Sequence, residues 1–158
     1  MNLLTLENRV FCAYAIAAAI MISKMMSQSW MTVFRMLKVN GGFRMPEDLR
    51  KTLSNPNPSP EQLLPNEYVE RSRRIHSNDV ENIPLFVASG LLYVTTAPSF
   101  TVSLVLFALY VVTRLIHFAI ILGQGTHDAG ALAWTPGSLI IFWMSGSVVV
   151  HAMKGVLS

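Results

Sequence analysis

Two stretches of this chain are too long and too apolar to be ordinary elements of a water-soluble fold: Phe100 to Leu122 and Ala131 to Leu157. A helix needs about 20 apolar residues to cross the hydrocarbon of a bilayer, and both stretches reach that length. Two more runs join them, Val10 to Phe34 (which carries Lys24 and a Ser/Gln cluster) and Ile83 to Ala97 with a polar lead-in. Only 13 % of the residues are charged, against roughly 25 % in an average soluble protein. The β-branched runs, such as Val148-Val149-Val150, sit inside continuous apolar segments and lack the alternation of a membrane strand. The expected fold is therefore all-α, a four-helix transmembrane bundle in a single domain over residues 1–158. The helices are expected at about 8–38, 67–97, 99–123 and 130–157, with a loop at 39–66.

The first segment is read as a retained helix. Its leading residues, Met1 to Glu7, are acidic, and its apolar run exceeds the ~7–15 residues of a secretory signal. Cys12 is the only cysteine, so no intrachain disulfide or cysteine metal cluster can form. Of the twelve Lys and Arg residues, eight lie between Arg35 and Arg74. The positive-inside rule places that connection in the cytoplasm and both termini on the far side. The net charge of +3 follows from this topology and calls for no nucleic-acid partner.

The second helix is the unusual one. Its first half carries Glu70, Arg71, Arg73, Arg74, His76, Asn78, Asp79 and Glu81, and its second half, from Ile83 to Ala97, has no charge. At 100° per residue, Arg71, Arg74, Asn78, Glu81 and Leu85 share an arc of about 80°. A stripe of charge at the edge of hydrocarbon is costly and marks a site. Pro84 lies just inside the apolar half and predicts a kink. At the end of helix one, Arg35 and Lys38 are one turn apart; they either snorkel to headgroups or hold an anionic ligand. The loop that follows is rich in Asn, Ser and Pro from Ser54 to Pro60 and reads as mobile.

Helix three holds Arg114 and His117. An unpaired arginine there would cost at least ~2.5–3.5 kcal/mol, so it is expected to pair with Glu81 or Asp79. The polar run Gly123 to Gly130 reads as a turn, and the small residues Ser145, Gly146 and Ser147 allow close helix approach. The four histidines lie on different elements, which argues against a metal centre.

The run Glu70-Arg71-Ser72-Arg73-Arg74-Ile75-His76-Ser77-Asn78-Asp79-Val80-Glu81-Asn82-Ile83 resembles the ERxRRxHxNDxENI signature of the MAPEG family (membrane-associated proteins in eicosanoid and glutathione metabolism). It is most similar to the type-1 microsomal glutathione transferase branch, with microsomal prostaglandin E synthase next. The resemblance implies a homotrimer in the endoplasmic reticulum membrane, with the mitochondrial outer membrane as a second location. It implies glutathione as co-substrate, a lipophilic small molecule as second substrate, and lipid as surroundings. On it, Arg73, Arg74, His76, Asn78 and Glu81 contact or organise glutathione, and Arg35 or Lys38 supplies the basic residue of helix one. Forked guanidinium groups suit the carboxylates of glutathione, and Glu81 suits its ammonium.

Two positions depart from the pattern. Ile121 stands where such proteins usually carry a tyrosine, and Gly130 where they carry the arginine that stabilises the glutathione thiolate. The catalytic group is therefore unassigned, with His127 and Arg114 as candidates. The expected function is conjugation of glutathione to lipophilic electrophiles, with lipid hydroperoxide reduction as a related activity. The alternatives are a non-catalytic glutathione- or lipid-binding member, and prostaglandin E synthesis.

Overall fold

The computed structural model describes residues 3–157, so Met1 and Asn2 of the acidic leader lie outside it, as does Ser158. Its order is four helices, α1 Arg9–Val39, α2 Glu67–Val94, α3 Phe100–Leu122 and α4 His127–Leu157, with short 3-10 turns at Pro46–Leu49 and Pro60–Leu63. No strand occurs among the described residues. Three of the helices, α1, α3 and α4, are long and apolar enough to cross a membrane. The remaining helix, α2, is 28 residues long, but its charged first half sets it apart from the others.

Local chemistry explains where the helices stop. At the end of α1, Asn40 takes a left-handed φ of 46°, and the Gly41 amide turns back to the Met36 carbonyl at 3.2 Å. That reversal satisfies a carbonyl the helix would otherwise leave open. Asn66 caps α2: its side-chain oxygen accepts from the Tyr68 amide at 3.0 Å. The start of α4 comes at His127, ahead of the expected 130. There Thr126 accepts from the Ala129 amide through its hydroxyl and from the Gly130 amide through its carbonyl. The helix α2 continues through Pro84 to Val94.

The chain forms two compact units. One contains the first part of α1, the second half of α2, and α3 and α4. Its core is aromatic. Phe86 stacks on Tyr110 with ring centroids 3.9 Å apart, and Phe107 meets Phe86 and Tyr14 edge-on. Gly90 is required beside Tyr14, because a Cβ there would come within 2.8 Å of the ring. The Tyr110 hydroxyl donates to the Asn82 carbonyl at 3.0 Å, and the Trp134 indole donates to the Asn82 side chain at 3.0 Å. α3 packs on α4, where Gly137 leaves room for the Arg114 guanidinium 3.2 Å from where its Cβ would stand.

The other unit is Lys24–Asp79: the last part of α1, the loop, and the charged part of α2. Here α1 and α2 meet through a polar ladder. Lys24 pairs with Asp79, Gln28 donates to the Ser72 hydroxyl at 2.7 Å and to its carbonyl at 3.0 Å, and Thr32 joins the Ser72 hydroxyl at 3.0 Å. Arg35 closes the ladder, donating to the Tyr68 carbonyl at 2.8 Å. On α2 these rungs are Tyr68, Ser72 and Asp79, with Ile75 buried between them, spaced i, i+4, i+7, i+11 along one face.

Candidate functional site

Most of the site residues expected from sequence fall in the Lys24–Asp79 unit, and burial sorts them. Arg35 is buried, 6 % exposed, with its guanidinium 4.3 Å from the centre of the Tyr68 ring. Lys38 is exposed, its ammonium 5.8 Å from the other cation's aromatic partner, Tyr68. Of the two basic residues on helix one, Arg35 is thus engaged in packing and Lys38 faces solvent.

The adjacent arginines of α2 also differ. Arg73 is 15 % exposed and paired with Glu70; its other terminal nitrogen donates to the Gly42 carbonyl at 2.6 Å. Arg44 holds the second oxygen of Glu70 at 2.8 Å. Burial tends to raise the Glu70 carboxyl, but the hydrogen bonds from Arg73 and Arg44 outweigh it and hold the group below the usual 4.5. Arg74 is 54 % exposed and presents both terminal nitrogens to the Glu67 carboxylate, at 2.5 and 3.3 Å. That fork lowers Glu67 and raises Arg74, as expected for a charge-assisted pair. It is the geometry a guanidinium would use on any carboxylate ligand.

His76 is half-buried, and its Nδ1 has no hydrogen-bond partner. Asn78 is half-buried one turn before the exposed Glu81. Glu81, Arg114 and His127 lie in the other unit. Arg114 is fully enclosed and donates to the Trp134 carbonyl at 3.1 Å. His127 is exposed at the first turn of α4. Asp79, which with Glu81 was an expected partner of Arg114, is paired with Lys24.

A model of the MAPEG family matches residues 11–150. The chain belongs to the MAPEG family. Microsomal glutathione S-transferase 1 of Sus scrofa is 39 % identical to it over 112 residues, 71 % of either chain. The Rattus norvegicus and Homo sapiens proteins of that name are each 38 % identical over the same share. In this MAPEG protein the loop holds a pairing that sequence reasoning missed. Between Asn40 and Asn66 a buried amide pair joins Asn55 to Gln62. Lys24, Gln28 and Ser72 were also missed as an interacting set. Their signal was the polar spacing Lys24, Gln28, Thr32, Arg35 inside an otherwise apolar helix.

Proposed function

We propose that this protein is a membrane-bound glutathione transferase that joins the glutathione thiol to lipophilic electrophiles reaching it from the bilayer. The observation that carries the reading is Arg74. Its guanidinium is exposed and already holds a carboxylate in forked geometry, on the helix whose sequence matches the glutathione-transferase branch of the family. In this reading Arg74 and Lys38 receive the glutathione carboxylates, and His76 and Asn78 line the same stretch of α2. Arg73 shapes the site from beneath, Arg35 stays a packing residue, and Glu81 meets the ammonium. The working form is a homotrimer in the endoplasmic reticulum membrane.

The thiolate lacks its usual arginine, since Gly130 occupies that place. A thiol with an ordinary pKa near 8.5 is only a few per cent ionised at pH 7. His127 and the backbone amides of the first turn of α4 are the groups available to favour the anion there. The same absence supports a second reading, a glutathione-binding member without turnover.

Calorimetric titration of glutathione and S-hexylglutathione into detergent-purified protein tests the first step. Binding in the parent protein, lost in Arg74→Ala, supports the site; conjugation of an aryl halide then separates enzyme from binder. No heat with either ligand in the parent would end both readings.

A further inference from the structure

Arg73 donates to the Gly42 carbonyl, and the N–H on the other side of that same peptide, the amide of Phe43, donates to the Gln62 carbonyl at 2.9 Å. A peptide unit is planar, so its C=O and N–H point in fixed opposite directions. Whatever holds the Phe43 amide therefore aims the Gly42 oxygen at Arg73. Gly42 sits at a left-handed φ of 70°, and a Cβ there would stand 3.1 Å from Val69, so the plane has little freedom on that side either.

Gln62 is itself held. Its side-chain oxygen accepts from Asn55 at 2.8 Å, and its nitrogen donates back to Asn55 at 3.1 Å. The same oxygen accepts from the Ser59 amide at 3.1 Å. Both side chains are buried, Asn55 at 4 % exposed and Gln62 at 6 %. Two buried amides that satisfy each other define one geometry, because either one left alone would strand polar atoms out of water.

We propose that Asn55 and Gln62 are positioning residues for Arg73, acting through the Gly42–Phe43 peptide. The loop works as a clasp whose output is the direction of one carbonyl. That carbonyl and Glu70 together fix the guanidinium, so the clasp sets how α2 presents its charged stretch to an anionic ligand. The ligand part rests on the glutathione reading above; the positioning part does not.

The test uses full-length protein in detergent micelles, with two readouts. The first needs no ligand: amide hydrogen exchange at Phe43 and through the first turns of α2. Asn55→Leu is expected to speed exchange at Phe43 and α2, and the exchanged pair Asn55→Gln with Gln62→Asn to restore slow exchange. The second is calorimetric affinity for glutathione, expected to weaken on the order of fivefold in Asn55→Leu, the worth of about one hydrogen bond, and to recover in the exchanged pair. If Asn55→Leu unfolds, the smaller and still polar Asn55→Ser is read in its place.

Unchanged exchange at Phe43 and α2 in a folded variant overturns the positioning role, whatever the affinity does. Faster exchange with unchanged affinity overturns the link to the ligand. If the parent binds no glutathione, the functional reading falls and exchange alone decides the clasp.

Discussion

Replacing Lys24 by methionine removes the cation against which Asp79 is folded. Asp79 is 1 % exposed; one oxygen pairs with the Lys24 ammonium and the other has no hydrogen-bond partner. Breaking a buried pair by removing one member costs roughly 3–5 kcal/mol, because the survivor keeps its desolvation penalty. The Lys24 side chain is 11 % exposed, which lets water reach one end of the pair and favours the lower figure, about 3 kcal/mol. For a chain of this size each kcal/mol moves the thermal midpoint by roughly 2–4 °C, so Lys24→Met is expected to lose about 6–12 °C. Lys24→Met combined with Asp79→Leu removes both charges and replaces them with apolar volume, and should recover most of the loss. The assay is thermal unfolding in detergent by circular dichroism, run on the parent, both single variants and the double. A single variant within about 2 °C of the parent would refute the reasoning. So would a double variant no more stable than the singles, which would mean that the pair is not coupled.

Glu67 occupies the Arg74 fork, so Glu67→Gln is expected to tighten glutathione binding by roughly two- to fivefold, the modest range of an exposed pair; weaker binding in calorimetry would show that Glu67 helps to orient Arg74 instead. Glu70 lies below the usual 4.5, so its pairing contributes stability that is present above that pH and lost as pH falls through its lowered value. Between about pH 5 and 3 the parent should therefore lose more thermal stability than Glu70→Gln, and equal losses would count against the pairing. A side chain at Gly130 meets nothing within 4 Å at its Cβ, so Gly130→Arg should fold as the parent does. The added cation should raise the thiolate fraction on the order of tenfold for each unit by which it lowers the thiol pKa, seen in the ultraviolet difference spectrum with glutathione; no thiolate signal would place the thiol elsewhere.

The fold was legible because its evidence is local. Phe100–Leu122 states its span by length and composition alone, and Asn40-Gly41-Gly42 states the end of α1 by backbone preference. The charged half of α2 was legible for the same reason. What was not legible depends on register, which is a property of two elements at once. That Asp79 pairs with Lys24 is set by how Lys24, Gln28, Thr32 and Arg35 line up against Tyr68, Ser72 and Asp79. The pair inside the loop was hidden for a different reason. Asn55 and Gln62 are ordinary residues of a Pro/Ser-rich stretch, and only their meeting in a buried site, seven residues apart, turns that composition into a clasp.

Register also explains how one helix can be both fixed and available. In α2 the face at Tyr68, Ser72, Ile75 and Asp79 is turned to α1, where four polar rungs set its height and rotation. With that face locked, Arg73 one step round is drawn under the loop and Arg74 one step further is left in the open. A slip of α2 by a single residue would turn the row by about 100°, bringing Arg73 toward α1 and Ser72 out of reach of Gln28. The charges of the stripe are thus kept apart in role by uncharged and paired neighbours. Gln28, Ser72 and Thr32, none of which can bind an anion by charge, decide which arginine is free to do so.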